Sequence, residues 1–111
     1  MSEYLSLYIT APSFEVADRI GRALVEERLV ACVNIIPGMH SIYRWQGAVE
    51  SAAESLMLIK TRAALLPAIE SRLRDLHSYE VPELIAVSIE HGAEPYLDWL
   101  LASTREPRKG P

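Results

Sequence analysis

The chain has 111 residues, of which 50% are apolar, and a formal net charge of −4 at pH 7. This length suits one ordinary domain with a real core, and the acidic balance argues against a nucleic-acid partner, which normally meets a basic surface. The N-terminal residues lack the pattern of a signal peptide, and no apolar run is long enough to span a bilayer. The single cysteine suits a reducing compartment. Together, these features predict a cytoplasmic protein without membrane insertion.

The N-terminal segment is predicted to form a strand followed by a helix. Residues 4–10 alternate strictly between apolar and polar side chains, which is typical of a strand with one buried face. Ser13 is suited to cap a helix, because its hydroxyl can accept a hydrogen bond from a free N–H of the first turn. Apolar residues then recur at helical spacing from Phe14 to about Arg28.

Residues 29–61 predict a long β-hairpin. The strand over 29–45 is interrupted at Pro37-Gly38, but its alternation resumes at once. We interpret the interruption as a bulge within one strand, where proline is tolerated, and a true turn is the alternative. Gln46-Gly47 predicts the hairpin turn, because glycine adopts positive φ at little cost. The return strand is expected over 49–61.

The C-terminal half is predicted to contain a helix, a strand and a further helix. Pro67 lies near the start of the second helix, whose apolar stripe is Leu66, Ile69, Leu73 and Leu76. A polar connection over 77–82 leads to a strand over 84–89, and Pro95 opens a third helix. We expect one domain over 1–104 and a flexible, charged tail over 105–111.

The element order βαββαβ, with a C-terminal helix, predicts an α+β fold of the ferredoxin-like, split βαβ type. Right-handed crossovers would place both main helices on one face of a four-stranded antiparallel sheet. The hairpin strands would extend ~40–55 Å, whereas a helix of ~14 residues covers ~21 Å. The overhang carries Ile42, Tyr43 and Trp45, which are too apolar to leave bare, so the hairpin predicts an oligomer.

Several motifs of known chemistry are missing from the sequence. There is no glycine-rich phosphate loop, no Cys-x-x-Cys or His-x-x-x-His pair, and no Gly-x-Ser-x-Gly segment. These gaps argue against a standard hydrolase or a nucleotide-dependent enzyme. We therefore predict a binding protein with no organic cofactor.

The residues that could carry chemistry each allow two interpretations. Cys32 is either a small buried hydrophobe or a soft metal ligand. His77 lies on the connection that also holds Tyr79 and Glu83. It is either a charge near a helix C-terminus, or a metal ligand or proton carrier. In the second interpretation Glu83 is a second, oxygen ligand. Lys60 either extends from the sheet to solvent or neutralises an anion. Trp45 is either an interface anchor or a stacking platform.

Six ordered blocks of this sequence resemble the CutA family of divalent-cation tolerance proteins. The resemblance covers residues 4 to about 103. Its blocks are Thr10-Ala11-Pro12, Leu29 to Gly38, Ser41 to Gly47, Ile59-Lys60-Thr61, His77 to Ile85 and Tyr96 to Leu100. It implies a ferredoxin-like subunit in a tight homotrimer with exchanged hairpins, a cytoplasmic location, a link to copper and other divalent cations, and an architecture like that of the PII signalling proteins.

The resemblance also implies a site between subunits. The polar positions that match the family are Cys32, Trp45, Lys60, His77, Tyr79 and Glu83. We expect His77 and Cys32 to bind a divalent metal such as copper or zinc. The ligand of the site is this metal ion or a small anion, and the residues expected to contact it are Lys60, Tyr79, Glu83 and Trp45. Some family members carry a histidine or cysteine where this chain has Leu76 and Ile9, so this chain is poorer in soft ligands.

Two other functions are kept as alternatives. The first is a PII-like trimer that acts as a signalling scaffold. The second is an enzyme that uses His77 as general acid and base, with Lys60 holding an anion.

Overall fold

The computed structural model describes residues 2–107 of the chain. Its elements in chain order are β1 (Tyr4–Ala11), α1 (Phe14–Glu26), β2 (Cys32–Trp45), β3 (Ala48–Arg62), a short 3₁₀ turn (Ala63–Leu65), α2 (Leu66–Leu76), β4 (Ile85–Ser88) and α3 (Glu94–Ser103). The four strands form one antiparallel sheet in the order β2-β3-β1-β4. The predicted α+β, split βαβ fold is therefore confirmed. No helix among residues 2–107 is long and apolar enough to cross a membrane.

The core lies between one face of the sheet and helices α1 and α2. The alternation in β1 buries Leu5, Leu7 and Ile9 completely, and their neighbours Met57 and Ile59 on β3 are equally buried. Each helix contributes its apolar stripe, including Ile20 of α1 and Ile69 and Leu73 of α2. Ser13 caps α1 as predicted, because its hydroxyl accepts a hydrogen bond from Val16 N–H at 3.2 Å.

The second strand begins at Cys32, not at Leu29 as the sequence predicted. Arg28 has φ 58°, so the chain turns sharply after α1. Leu29 and Val30 are buried in the core, and the Leu29 carbonyl accepts a hydrogen bond from the Thr61 hydroxyl at 2.6 Å. The apolar run from Leu29 to Ala31 thus reflects burial rather than a strand, because this segment is a packed connection between α1 and the sheet.

A bulge interrupts β2 at Pro37-Gly38, and the predicted alternative of a turn is wrong. Ile36 faces Leu56 and Met39 faces Glu54, so two residues of β2 lie opposite Ser55 alone. Gly38 has φ +76°, which favours glycine. The extra residue changes which side chains share a face: Cys32, Asn34 and Ile36 lie on the same face as Met39, Ser41, Tyr43 and Trp45.

The β2–β3 hairpin extends well beyond the helices. The 14 residues of β2, which include the bulge, extend about 40 Å, close to the 43 Å length of the whole molecule, whereas α1 with 13 residues is about 20 Å long. The turn is at Gln46-Gly47, where both residues have positive φ, as the sequence predicted. Ile42, at 69% exposed, and Val49, at 67% exposed, lie near its tip.

The chain leaves α3 through a set of arginine contacts. Arg28 donates to the Ala102 carbonyl at 2.6 Å, and Arg62 donates to the Thr104 hydroxyl at 2.9 Å and to the Arg105 carbonyl. Arg105 N–H in turn donates to the Arg28 carbonyl at 2.8 Å. The chain is thus anchored through Arg105, the first residue of the predicted tail, and 108–111 of that tail lie outside the described residues.

Candidate functional site

A cleft of about 740 Å³ separates the outer half of the hairpin from the connection between α2 and β4. We call it the Tyr79 cleft. One wall is formed by the hairpin face that holds Met39, Ser41, Tyr43 and Trp45. The other is formed by five residues of the connection: Ser78, Tyr79, Glu80, Val81 and Glu83. The remaining lining residues are Thr10, Ile42, Glu54 and Leu56. The connection folds against the sheet through His77 and Tyr79, so these two residues determine the shape of the cleft.

His77 lies beneath the cleft and is 8% exposed. Its Nδ1 accepts a hydrogen bond from Tyr79 N–H at 3.0 Å, and its Nε2 lies 2.7 Å from the Thr10 carbonyl oxygen. Nδ1 is therefore the unprotonated nitrogen, and Nε2–H donates to the carbonyl. Both ring nitrogens are engaged with backbone groups, which leaves neither free for a metal ion or for proton transfer in this conformation.

Tyr79 and Glu54 connect the two walls of the cleft. The Tyr79 hydroxyl donates a hydrogen bond to Glu54 Oε2 at 2.8 Å. The Tyr79 ring also packs on His77, with centroids 4.7 Å apart. Burial raises the pKa of Tyr79 to about 12, and the hydrogen bond to Glu54 and the charges of Glu54 and Tyr43 act in the same direction. Tyr79 is thus a neutral hydrogen-bond donor at physiological pH.

The Tyr79 cleft is acidic. Three carboxylates line it, from Glu54, Glu80 and Glu83, and none of the residues that line it is lysine, arginine or histidine. Uncompensated carboxylates attract cations and repel anions. The electrostatics of this cleft therefore favour a positively charged ligand.

Cys32 and Lys60 form a second cluster, distant from the cleft. They are directly paired in the β2–β3 ladder. Cys32 Sγ lies 3.6 Å from the Tyr96 hydroxyl, and Lys60 Nζ donates to Asn34 Oδ1. The contact with Cys32 and burial raise the pKa of Tyr96. Lys60 is six residues from Glu54 on β3, which corresponds to about 20 Å.

The structure thus divides the predicted site residues between two places. Trp45, Tyr79 and Glu83 line the Tyr79 cleft, with His77 beneath it, whereas Cys32 and Lys60 lie together elsewhere on the same face of the sheet. Within residues 2–107 no three His, Cys, Asp or Glu side chains converge on a point where a metal ion could be held. One subunit alone does not assemble the predicted ligand set.

Sequence reasoning missed Glu54, Glu80 and Tyr43 as residues of the site. The sequence indicates Tyr43 only as an apolar residue of the overhang, whereas the strand register places it on the wall of the cleft with Trp45. Glu80 lies on the same polar connection as His77, so the sequence could have indicated it as a site residue. Glu54 had no local signal, because its role depends on a hydrogen bond to Tyr79, a residue distant in sequence.

An apolar surface lies on the sheet face opposite α1 and α2. Its members are half-exposed and come from three strands: Tyr8 at 40%, Ile36 at 48%, Ile85 at 50% and Val87 at 44%. Strand pairing places Tyr8 directly opposite Ile85. We call this set the open face, and it borders both the Tyr79 cleft and the Cys32–Lys60 cluster. Exposed apolar residues grouped on one face are typical of interaction surfaces.

Comparison with known proteins gives one consistent family. Residues 5–103 match the sequence profile of the CutA1 divalent ion tolerance protein family. The chain is 54% identical over 96 residues to the divalent-cation tolerance protein CutA of Thermus thermophilus, a match that covers 86% of this chain and 93% of that protein. It is 46% identical over 100 residues to the chloroplastic Protein CutA 1 of Oryza sativa, covering 90% of this chain but 56% of that protein.

Solved structures show the same fold. The divalent cation tolerance protein of Thermus thermophilus superposes with a TM-score of 0.90 at 51% identity, covering 92% of this chain and 99% of the other. CutA1 of Oryza sativa gives 0.92 at 44% identity, covering 95% and 96%. The periplasmic divalent cation tolerance protein CutA of Archaeoglobus fulgidus gives 0.87 at 40% identity, covering 90% and 97%.

Proposed function

This chain belongs to the CutA1 divalent ion tolerance protein family, and we propose that it acts in divalent-cation tolerance by binding metal ions in clefts between the subunits of a homotrimer. The observation that carries the proposal is the acidic Tyr79 cleft, with three carboxylates and no basic lining residue. Carboxylate oxygens are common ligands of divalent cations.

The open face and the hairpin support assembly. Half-exposed apolar residues cover the open face, and Trp45, at 53% exposed, lies at the end of the overhanging hairpin. Aromatic residues are enriched in interface cores, and burying apolar area contributes about 25 cal/mol per Å². A second copy of the chain is the natural cover for surfaces that α1 and α2 do not reach. The number three rests on the resemblance to the CutA family.

Assembly also supplies what one subunit lacks as a metal site. Glu54, Glu80 and Glu83 line one cleft without meeting at one point. Residues of a neighbouring subunit at the rim of the cleft would complete the coordination of a cation. We propose these carboxylates as the principal ligands, and His77 as the residue that positions Tyr79.

The predicted soft ligand Cys32 is less suited to a cation than the carboxylates. It lies directly beside Lys60 in the β ladder, and the ammonium repels a metal ion. A small anion, the other predicted ligand, would find its positive partner at Lys60 rather than in the Tyr79 cleft. An enzyme that uses His77 is disfavoured because both ring nitrogens bond to the backbone.

We place the protein in the cytoplasm as a proposal drawn from its sequence. The relatives differ in this respect, because the rice protein is named chloroplastic and the Archaeoglobus protein periplasmic. Fractionation of the native host, with an antibody against the protein, tests the location directly.

Calorimetric titration with Cu²⁺, Zn²⁺ and Mn²⁺ tests the proposed binding, on untagged protein whose mass is measured by sedimentation. We expect saturable binding to a trimer, weakened at least severalfold by the double variant Glu80→Gln/Glu83→Gln. The matched control is Glu70→Gln, which removes a carboxylate from the exposed surface of α2.

One further variant, Cys32→Ser, separates the candidate ligands. Cys32→Ser should leave the affinity unchanged if carboxylates bind the cation. If Cys32→Ser abolishes binding while the glutamate variants bind normally, the metal site is at Cys32 and the assignment to the cleft is wrong. Loss of the gene should increase metal sensitivity of the host, and wild type but not the glutamate variant should restore tolerance.

A further inference from the structure

We propose that Arg28, Arg62 and Arg105 form a binding site for an oxyanion of the phosphate class, at the point where the chain leaves α3. We call these three residues the arginine cluster. None of them lines the Tyr79 cleft. Arg62 is the last residue of β3, which begins at the hairpin turn, so the cluster lies at the opposite end of the sheet from the overhang.

Hydrogen bonds through the backbone hold the arginine cluster together. Arg62 donates from Nη2 to the Arg105 carbonyl, and the Arg105 N–H donates to the Arg28 carbonyl at 2.8 Å. Arg62 also donates from Nε to the Thr104 hydroxyl at 2.9 Å, and Arg28 donates from Nη2 to the Ala102 carbonyl at 2.6 Å. The end of α3 thus keeps the three arginines next to one another.

The arginine cluster carries positive charge that the described chain does not neutralise. Arg62 is only 6% exposed, and within residues 2–107 the arginines that form ion pairs are Arg22 and Arg72. A buried charge without a partner of opposite sign is costly. The C-terminal end of α3 offers roughly half an elementary negative charge. Since three guanidinium groups share that helix end, positive charge remains in excess.

Arg105 supplies an independent observation that points to an anionic ligand. Outside the exposed side chains, its Nε is the only buried side-chain nitrogen or oxygen within residues 2–107 that has no hydrogen-bond partner. Buried donors are almost always hydrogen-bonded, because a donor without an acceptor loses the free energy of its hydration. A guanidinium presents Nε and one Nη along a single edge, which matches two oxygens of an oxyanion.

The chemistry of the cluster favours an oxyanion over other ligands. Guanidinium nitrogens are donors only, and their charge repels metal ions. Lys60 lies two residues before Arg62 on β3, but its ammonium already donates to Asn34 Oδ1. Arg28 is exposed and Arg105 is partly exposed, so an anion reaches the cluster from solvent. A carboxylate of the chain itself or of a neighbouring subunit offers the same two oxygens and is the competing occupant.

Titration of the untagged oligomer with inorganic phosphate, at an ionic strength held constant with sodium chloride, tests the assignment. Calorimetry measures binding, and NMR follows the arginine Nε–H groups. We expect saturable binding, a phosphate-dependent shift of the Arg105 Nε–H signal that chloride does not produce, and a melting temperature that rises with phosphate concentration. The absence of saturable binding would leave the arginines as caps of α3 and overturn the assignment. So would an Arg105 Nε–H signal that phosphate does not change, because a protein carboxylate then occupies this edge.

Variants locate the bound phosphate. Arg105→Gln should weaken phosphate binding by about tenfold, as expected for the loss of charge-assisted hydrogen bonds. Arg28→Gln, at an exposed position, should also weaken binding, and it keeps the test decisive if Arg105→Gln does not fold. The matched control is Arg74→Gln, which removes the same charge from an exposed position of α2 and should leave the affinity unchanged. Equal phosphate affinity in the cluster variants and in Arg74→Gln places the anion elsewhere and refutes the assignment.

The same variants distinguish this site from the proposed metal site. Glu80→Gln/Glu83→Gln should bind phosphate as wild type does, and Arg105→Gln should bind Mn²⁺ as wild type does. Phosphate binding that is lost in the glutamate variant, but kept in Arg105→Gln, would contradict the arginine site. Failure of metal binding alone leaves the arginine site standing.

Discussion

The Tyr79 hydroxyl donates a hydrogen bond to Glu54 Oε2 at 2.8 Å and so joins the α2–β4 connection to the long hairpin. The bond spans the Tyr79 cleft at its base. It holds a phenol and a carboxylate in fixed positions beside Glu80 and Glu83. Because the phenol must keep its proton in order to donate, this contact is lost when Tyr79 ionises at high pH.

Tyr79→Phe should remove a part of the wild-type stability that depends on pH in the alkaline range. The pKa of Tyr79 is raised to about 12, from 10.0, by burial and by Glu54. Between these values the unfolded chain releases the phenol proton while the folded chain keeps it, so wild-type stability falls as pH rises. The stabilisation is complete below pH 10 and is lost as pH passes about 12. We therefore expect the difference in melting temperature between wild type and Tyr79→Phe to be smaller at pH 11 than at pH 8. A constant difference contradicts this assignment.

His77→Ala should destabilise the fold by about 1–3 kcal/mol, because it leaves the Thr10 carbonyl and the Tyr79 N–H without their partner. His91→Ala, at an exposed position, is the control and should change the free energy of unfolding by less than about 0.5 kcal/mol. Urea denaturation measures both. Equal effects of the two substitutions would show that the buried contacts are not stabilising.

Gly38→Ala should destabilise the protein by about 1–2 kcal/mol, because an L-residue is strained at φ +76°. No atom lies within 4 Å of the added Cβ, so the effect is conformational and not steric. Gly38→Asn should cost less, since asparagine adopts this region more readily. Thermal unfolding of both, with the exposed strand variant Ser51→Ala as control, checks the order. A steric origin would make asparagine worse than alanine.

Trp45→Asp should dissociate or misfold the oligomer. Trp45 is 53% exposed in a single subunit, beside the hairpin turn, and a charge in a desolvated interface is strongly unfavourable. The control Ser71→Asp places the same charge on an exposed position of α2 and should leave assembly intact. Sedimentation at micromolar concentration measures both. A Trp45→Asp variant that sediments like wild type, or a well-folded wild-type monomer, contradicts the proposed interface.

The sequence by itself determined the elements and their order. Alternation over 4–10 predicted β1 and its buried face, Ser13 predicted the start of α1, and Gln46-Gly47 predicted the hairpin turn. These signals are local, because strand and helix periods and turn conformations depend on neighbouring residues. The prediction of a strand over Leu29 to Ala31 was wrong for the same reason. These residues are apolar because they are buried, and periodicity alone does not distinguish a buried connection from a buried strand.

Only the tertiary structure decided which side chains meet. The bulge at Pro37-Gly38 brings Tyr43 and Trp45 to the face that carries Glu54, and the fold of the connection brings Tyr79 within hydrogen-bond distance of that carboxylate. The same fold places both ring nitrogens of His77 in hydrogen bonds with backbone groups. It also separates Cys32 and Lys60 from the cleft. Such contacts join residues far apart in the chain, and they follow from strand register and packing, which no local pattern encodes.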